Sequence, residues 1–200
     1  MLLYYLSPSP YARKVRIVAR ERALLALIDE VAADPWAEPT DLVAANPLGR
    51  IPCLVTDDGW PLFDSPVICA YLDAHPQAGG AQLIPAGDNG WRVRRAEALA
   101  DGVMDLGVLL AVEKRKPESE RSPTMAGRWR RQLARAVGTL LTEVEDLGNA
   151  VSLGHFAAAC ALGYLDFRHP DIDWRTGNDG LAAWYAGFAT HPSLAATAPQ

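Results

Sequence analysis

The stretch NPLGRIPCLVTDDGWPLFDSPVICAYL, residues 46–72, decides the fold of the first part of this chain. A short apolar run opens with Ile51-Pro52, and a second one follows the turn residues Asp58-Gly59. Two short apolar runs on either side of an Asp-Gly pair are the pattern of a β-hairpin. The stretch therefore predicts two antiparallel strands, followed directly by a helix.

Two Ser-Pro pairs mark the expected starts of helices. Ser9-Pro10 and Ser65-Pro66 each place a good N-cap residue before a proline, whose fixed φ suits the first helical position. Residues 2–6 are apolar throughout and indicate a buried strand ahead of the first helix. Each helix head presents backbone N–H groups and a hydroxyl, a combination that binds small anions.

The order of these patterns predicts a small α/β layer over residues 1–76. It comprises a strand, a helix ending near Ala23, a second strand at 25–31, a loop over 32–47 with one helical turn, the hairpin and the second helix. A right-handed crossover makes the first two strands parallel, whereas the hairpin adds an antiparallel pair. The expected fold class of this part is therefore α/β.

The pattern changes beyond residue 76. Residues 77–90 are rich in glycine and proline and indicate a linker. Residues 91–200 have helical periodicity and few strand signals, so they predict an all-α domain. Its four helical stretches are Trp91–Lys116, Met125–Leu147, Ser152–Arg168 and Asp179–Thr190.

Composition excludes several classes of protein. The chain of 200 residues is 50% hydrophobic and 22% charged, as in ordinary globular proteins. Its net charge of -5 argues against nucleic-acid binding, which usually needs a strongly basic surface. No apolar run reaches membrane-spanning length, and the N-terminus lacks the basic region of a signal peptide. We therefore expect a cytoplasmic protein without a membrane or nucleic-acid partner.

The three cysteines are scattered along the chain. Cys53, Cys69 and Cys160 all lie in apolar runs, and no two of them form a CxxC motif. An odd, scattered set is typical of reduced, buried thiols in a cytoplasmic protein. Cys53 is the exception to consider, because it directly follows Pro52. The histidines and cysteines have no metal-ligand spacing, so no metal is expected.

Five segments, in order, carry a resemblance to a known family. The matching segments are SPYARKVRI at 9–17, NPLGRIPCLV at 46–55, FDSPVICAYLD at 63–73, RRAEALADGVMD at 94–105 and ACALGYLDFR at 159–168. Over essentially its whole length the chain resembles the bacterial glutathione S-transferases, and among them the YibF-like group. The resemblance implies a thioredoxin-like domain followed by an all-α domain, usually as a homodimer, and a role in detoxification.

The resemblance also implies a glutathione site in the first domain, with glutathione as co-substrate. Ser9 matches the family's catalytic serine. Pro52 matches a cis-proline, and Ile51 before it offers its backbone groups to the cysteinyl part of glutathione. Asp64 and Ser65 match the pair that holds the γ-glutamyl part. Weaker candidates are Trp36 and Arg50 for glutathione, and Tyr11, Met104 and Val108 for the electrophile pocket.

The catalytic hydroxyl has alternatives. Ser9 either donates to the thiolate or only caps its own helix. Ser7 and Tyr11 are rival hydroxyls, and Ser9 is preferred because it immediately precedes the helix-starting proline. A free thiol has a pKa of ~8.5, and lowering it by about two units requires roughly 2.7 kcal/mol. A helix N-terminus contributes ~1–2 kcal/mol and a hydrogen bond to the anion roughly 1.5–3 kcal/mol, so the two together suffice.

The weaker candidates have structural alternatives as well. Trp36 either leans over the glutathione site or anchors its own loop by packing. Arg50 and Arg13 either meet the glycyl carboxylate or are solvated. Met104 and Val108 either line the electrophile pocket or, at helical spacing, pack in the core.

Two other functions stay open beside the leading one, which is a glutathione transferase that activates the thiolate for attack on a small hydrophobic electrophile. A glutathione-dependent disulfide reductase or peroxidase normally uses a reactive cysteine near the first helix, where this chain has Ser9. The other alternative is a non-catalytic, dimeric interaction protein of the same fold, because fold does not imply function.

One segment departs from the family pattern. Many members open the core helix of the second domain with the capping box Ser/Thr-x-x-Asp. The corresponding run here is Ser152-Leu153-Gly154-His155. The serine is kept, but the reciprocal acid is missing, which predicts a weaker helix start.

Overall fold

The structure is a computed structural model that describes residues 1–199. It divides into two compact units: Met1–Pro85 together with the segment that begins at Pro192, and Ala86–His191. The first unit contains a four-stranded mixed sheet with helices, and the second is helical. This is the fold class that the sequence predicts. No helix within the described range is long and apolar enough to cross a bilayer.

The sheet has four strands in the spatial order β2-β1-β3-β4. They are β1 Leu2–Tyr5, β2 Asp29–Ala32, β3 Cys53–Val55 and β4 Pro61–Leu62. β1 is parallel to β2, with Leu2 opposite Asp29, and antiparallel to β3, with Leu2 opposite Val55. β3 and β4 form the antiparallel hairpin. Both predicted pairings are therefore confirmed.

Eight α-helices lie within residues 1–199. They are α1 Pro10–Glu21, α2 Thr40–Ala45, α3 Ser65–Asp73, α4 Asp88–Arg115, α5 Pro123–Asp146, α6 Leu153–Arg168, α7 Asp179–Phe188 and α8 Pro192–Ala196. The predicted helices, α1 and α3 to α7, are confirmed within a few residues at their ends. The sequence pattern gives no sign of α8, because five residues are too few to show helical periodicity.

The predicted strand at 25–31 is only partly correct. Ala23 has a positive φ of 55°, and the chain then makes a 3-10 turn at Leu25–Leu27 before β2 begins at Asp29. The reason is the length of the partner strand: β1 begins at Leu2, which is opposite Asp29. Residues before Asp29 therefore have no strand to pair with.

The first unit has apolar side chains on both faces of its sheet. Successive residues of a strand point to opposite faces. In β1, Leu3 is fully buried, and Tyr4 packs against a cluster that includes Leu42 of α2 and Cys53 of β3. α1 and α3 pack against each other. Each fully buried aliphatic side chain contributes about 1.5–3 kcal/mol, so this layered packing holds the sheet in place.

A buried ion pair fixes the beginning of the linker to the first unit. Asp73, the last residue of α3, accepts hydrogen bonds from the backbone N–H groups of Leu83 at 2.8 Å and Ile84 at 2.9 Å. Its carboxylate lies 3.2 Å from Nε of Arg22, and Asp73 is only 3% exposed. Arg22 also donates to the carbonyl of Gly80 at 2.8 Å. The segment up to residue 84 is therefore part of the first unit.

The second unit is built around α6. Residues 153–165 of this helix are all buried, so it shows no polar face. α4 packs against both α6 and α5. A helix that is apolar all round belongs in a core, which explains why α6 has the most uniformly apolar sequence of the unit.

The start of α6 is capped by an imidazole in place of the missing acid. Nδ1 of His155 accepts a hydrogen bond from the backbone N–H of Ser152 at 3.2 Å and lies 2.9 Å from its hydroxyl oxygen. His155 is 5% exposed and lies against the rings of Trp184 and Phe188. The capping box is complete, so the expectation of a poorly capped start is wrong.

A second buried histidine, His169, follows α6. Its Nε2 donates to the carbonyl of Gly107 at 2.8 Å, so Nδ1 is the unprotonated nitrogen, and it accepts from Nζ of Lys114 at 3.2 Å. Burial lowers the pKa of both His155 and His169, although nearby carbonyls partly oppose this, and Lys114 lowers the pKa of His169 further. Both rings are therefore neutral in the folded protein.

We predict that Asp73→Asn destabilises the protein by ~3 kcal/mol or more, because it leaves Arg22 as a buried charge without its partner. Glu30→Gln is the matched control. It breaks the pair between Glu30 and Arg16, which lies at the surface and is worth less than ~1 kcal/mol. Urea unfolding followed by circular dichroism measures both losses. Equal losses in the two variants would contradict the role given to Asp73.

We predict that the free energy of unfolding falls as the pH drops from ~7 to ~5. Unfolded histidines bind a proton near pH ~6.5, whereas the pKa values of folded His155 and His169 are lower, so below that pH acid favours the unfolded state. Asp171 does not contribute to the loss of stability in this pH range. The hydrogen bond from Lys114 holds its pKa far below the ordinary value, so its contribution is lost only below pH ~4.

The variant His155→Asn tests this pH dependence. The amide oxygen of the introduced asparagine can still accept a hydrogen bond from the backbone N–H of Ser152, but the amide does not titrate. We expect a smaller loss of stability between pH ~7 and ~5 than in the parent, and a still smaller loss when His169→Gln is added. Urea unfolding at each pH gives the slope of the free energy of unfolding against pH. The same slope in all three proteins would rule out the two histidines as its source.

Candidate glutathione site

The first part of the candidate site is the N-terminus of α1. Ser9 is the N-cap, and its hydroxyl oxygen accepts from the backbone N–H of Ala12 at 3.2 Å. Pro10 occupies the first helical position, as predicted. A hydroxyl has one donor and two acceptor sites, so capping leaves the proton of Ser9 available to an anion. The two roles weighed for Ser9 are therefore compatible.

The second part is the segment before β3. The Ile51–Pro52 peptide bond is cis, as predicted. Ile51 is half-buried, and neither its backbone N–H nor its C=O forms a hydrogen bond with another group in the described chain. β3 begins two residues later, at Cys53. Free backbone groups beside a strand can pair with an extended peptide.

The third part is the N-terminus of α3. Asp64 is the N-cap residue and Ser65 the first helical residue, so α3 begins one position earlier than the sequence pattern suggests. The side chain of Asp64 is exposed and makes no capping hydrogen bond. Ser65 is 2% exposed, and no hydrogen bond of its hydroxyl is found within residues 1–199. The hydroxyl oxygen is not among the fully buried atoms that lack a partner, so a ligand can reach it. A hydroxyl beside first-turn N–H groups suits a carboxylate, and the exposed carboxylate of Asp64 suits an ammonium group.

Other candidates differ in how accessible they are. Trp36 is 67% exposed, so it does not anchor its loop by burial. Arg50 is exposed and has no ion pair with any described residue. Ser7 and Tyr11, the rival hydroxyls, are half-buried and already take part in interactions of their own. Ser9 keeps its place as the preferred hydroxyl.

Three assignments are affected by burial. Arg13 is 8% exposed and donates from Nη2 to the carbonyl of Leu194 at 2.9 Å, so the expectation that it is solvated is wrong. Met104 is fully buried, in keeping with a packing role, and Val108 is half-buried. With Tyr11 they stay predictions as electrophile-binding residues.

The cysteines do not form a reactive centre. Cys53 is fully buried, and burial raises its pKa to about 11. Cys69 and Cys160 are also fully buried, and all three are free thiols. Because the thiolate is the nucleophile, a thiol that stays protonated at neutral pH is a poor one. Cys53 is therefore not the exception that its position beside Pro52 suggests.

Two family models match the chain. Residues 8–75 match the glutathione S-transferase N-terminal domain, and residues 95–187 match the glutathione S-transferase C-terminal domain. The chain belongs to the glutathione S-transferase family. The helix heads and the cis-proline described above all lie in the first matched region.

Individual relatives agree with this membership. The uncharacterized GST-like protein YibF of Escherichia coli (strain K12) is 32% identical over 196 residues, covering 96% of this chain and 95% of its own. A glutathione transferase family member from Pseudomonas fluorescens Pf-5, solved with bound glutathione, is 38% identical, with a TM-score of 0.93, covering 100% of this chain and 98% of its own. A second structure from Pf-5, with bound S-(propanoic acid)-glutathione, is 37% identical, with a TM-score of 0.89, covering 100% of both chains.

Proposed function

We propose that this protein is an enzyme that binds glutathione, ionises its thiol and transfers it to a small hydrophobic electrophile. The observation that carries the proposal is a set of three groups in the first unit that are open to a ligand: the hydroxyl proton of Ser9, the backbone of Ile51 and the hydroxyl of Ser65. Glutathione offers one partner for each, namely a thiol, a peptide group and a carboxylate. The Pf-5 relative with bound glutathione supports the same ligand here.

In the proposed complex each part of the tripeptide has its own partner. The γ-glutamyl carboxylate accepts from Ser65 and the first-turn N–H groups of α3, and Asp64 pairs with the ammonium group. Ile51 exchanges backbone hydrogen bonds with the cysteinyl residue. Arg50 meets the glycyl carboxylate, and the exposed ring of Trp36 covers the ligand.

The chemistry assigned to Ser9 is stabilisation of the thiolate. Its O–H donates to the sulfur while the dipole of α1 favours the negative charge. The thiol proton passes to solvent. The thiolate then forms a carbon–sulfur bond with the electrophile, which either loses a leaving group or takes up a proton. We assign glutathione binding to the predicted domain of residues 1–76, which lies within the first unit. Of the predicted linker (77–90) and helical domain (91–200), the structure groups the chain up to Pro85 and the segment from Pro192 with that first unit.

A disulfide reductase or peroxidase function is disfavoured by the thiols of this chain. Position 9 is serine, and Cys53, Cys69 and Cys160 are all buried. The fold is equally compatible with a non-catalytic protein. A measurement of turnover distinguishes that alternative from an enzyme. We also propose a cytoplasmic location, in keeping with three reduced thiols.

We predict that Ser65→Ala weakens mainly the binding of glutathione, whereas Ser9→Ala lowers mainly the rate of the reaction. Ser65→Ala removes a hydrogen bond to a charged group and should weaken glutathione binding by about tenfold or more in calorimetric titration. Ser9→Ala should keep the affinity within about threefold but lower the rate with an aryl halide by about tenfold or more, because the thiolate loses a donor. Ser7→Ala is the control and should keep both values.

Three outcomes would overturn parts of this proposal. No heat on titration of the parent with millimolar glutathione would exclude glutathione as the ligand. Binding without turnover of any aryl or alkyl halide would favour the non-catalytic alternative. A loss of rate in Ser7→Ala instead of Ser9→Ala would transfer the catalytic role to the other serine.

We further propose a homodimer that joins the α/β layer of one chain to the helices of the other. Large apolar side chains are exposed in each unit, among them Trp60 at 59% and Val67 at 47% in the first, and Trp91 at 72% in the second. Contiguous exposed apolar patches mark interaction surfaces, and we propose that these side chains belong to such surfaces.

We predict that light scattering gives twice the chain mass of 21.6 kDa. Trp60→Asp should shift the protein toward the monomer, because it places a charge in the interface. Trp36→Ala, which removes a ring of similar exposure from the proposed glutathione site, should leave the mass unchanged and weaken glutathione binding. A parent mass equal to one chain would contradict the dimer.

A further inference from the structure

One tyrosine of the second unit combines a buried ring with an open hydroxyl. Tyr164, near the end of α6, is 7% exposed. Its hydroxyl forms no hydrogen bond with any described residue, and its oxygen is not among the fully buried atoms that lack a partner. The oxygen therefore reaches the surface. A tyrosine that is otherwise buried usually has a partner for its O–H, so this hydroxyl is available to a ligand.

The ring of Tyr164 is held in one position. A Cβ atom at Gly154 would lie 3.0 Å from that of Ala96, and one at Gly107 would lie 3.0 Å from Cε1 of Tyr164. These two approaches show that α4 and α6 run side by side in the same direction. The ring thus lies directly against α4, and the ring of His169 meets it edge-on, with the two centroids 6.2 Å apart.

Two arginines lie at the adjacent ends of these parallel helices. Arg115 is the last residue of α4 and Arg168 the last residue of α6. Arg168 follows Tyr164 by four positions, so the two are neighbours on the helix surface, and long helical side chains point back toward the N-terminus. Burial raises the pKa of the Tyr164 hydroxyl, and the charges of Arg168 and Arg115 partly oppose this. The phenol is therefore a protonated donor in positive surroundings.

Arg168 has no counter-charge among residues 1–199. It forms no ion pair with any of them. The acids nearest to it in the sequence are already paired: Asp166 accepts from both Nη atoms of Arg175, at 2.7 and 2.8 Å, and Asp171 pairs with Lys114 at 2.6 Å. The charge of Arg168 is therefore free to attract an anion.

The chemistry of these groups favours a carboxylate attached to an apolar body. A phenol O–H and a guanidinium both donate, so their ligand must accept, and the planar guanidinium matches the geometry of a carboxylate. The guanidinium of Arg168 lies over the ring of Phe167, 4.5 Å from its centroid, and Phe167 is 36% exposed. An exposed ring beside the charge offers an aromatic ligand a surface on which to pack.

We propose that Tyr164 and Arg168 form a binding site for a small aromatic carboxylic acid in the second unit. The hydroxyl of Tyr164 donates to one carboxylate oxygen, Arg168 pairs with the carboxylate, and Phe167 packs on the apolar body. Arg115 adds positive potential. The inference goes beyond the proposed glutathione function and does not rest on it, because all four residues lie in the unit Ala86–His191.

The arginines have an alternative role within their own helices. A cation in the last turn of a helix interacts favourably with the helix dipole, and both Arg115 and Arg168 occupy such positions. This role does not account for the open hydroxyl of Tyr164. It also predicts a different result when Arg168 is replaced, namely a loss of stability without a loss of ligand binding.

The test is a titration of the whole protein with benzoate, followed by the NMR chemical shifts of its backbone amides. We expect saturable binding with a Kd on the order of 1 mM, and binding of benzamide, the neutral analogue, that is weaker by about tenfold or more. Tyr164→Phe removes only the hydroxyl and should weaken benzoate binding by about tenfold. Because that hydroxyl has no partner in the described chain, the urea midpoint of this variant should stay unchanged.

The arginine is tested with a matched control. Arg168→Met removes the charge and should weaken benzoate binding by about tenfold or more. Arg168→Lys keeps the charge without the planar guanidinium and should give a smaller loss. Arg128→Met changes the net charge equally, because Arg128 is an exposed arginine of α5 without an ion pair in the described chain, and should leave benzoate binding unchanged.

Several results would overturn the site. The first is a parent whose chemical shifts do not change with benzoate at up to ~20 mM. The second is equally tight binding of benzamide or of inorganic phosphate, because the carboxylate or the aromatic body would then be irrelevant. The third is an unchanged affinity for benzoate in Tyr164→Phe or Arg168→Met. An equal loss of affinity in Arg128→Met would assign the effect to the total charge of the chain.

Discussion

A serine hydroxyl accepts and donates hydrogen bonds at the same time, and the candidate site depends on this double capacity at Ser9. The oxygen accepts from Ala12 and so defines where α1 begins. The remaining proton is free to be donated to a ligand. Alanine would lose both functions. Local folding and the proposed chemistry therefore require the same side chain.

Local chemistry explains which parts of the fold can be predicted from the sequence. The starts of α1 and α3 follow from Ser-Pro pairs, and the hairpin turn follows from Asp58-Gly59, because each depends only on neighbouring residues. The start of β2 depends on where β1 begins, and the N-cap of α3 moves by one residue to Asp64. The cis bond before Pro52 came from the family resemblance and not from the local pattern.

The residues proposed for the candidate site follow from the family resemblance, whereas their surroundings do not follow from the sequence. The resemblance implies Ser9, Ile51, Asp64 and Ser65, and the structure shows the exposure and the hydrogen bonds of each. The burial of Arg13 was not predictable, because its partner Leu194 lies 181 residues away. No rule of spacing or periodicity connects positions so far apart.

The cap of α6 shows why a motif should be judged by its chemistry. The family pattern has an acid where this chain has His155, and the acid's task is to accept a hydrogen bond from the N–H of Ser152. A neutral imidazole can do this, and the surrounding aromatic rings keep it neutral by excluding water. The departure from the pattern changes the residue but preserves the function of the motif.

The attachment of α8 to α1 has a consequence for how the chain is made. A ribosome adds ~5–20 residues per second, and domains begin to fold in the order in which they emerge. The nascent first unit must therefore wait on the order of ten seconds or more for Leu194 to follow Arg13. During that interval the guanidinium has water as its partner, and the first unit reaches its final form only after the whole second unit has been synthesised.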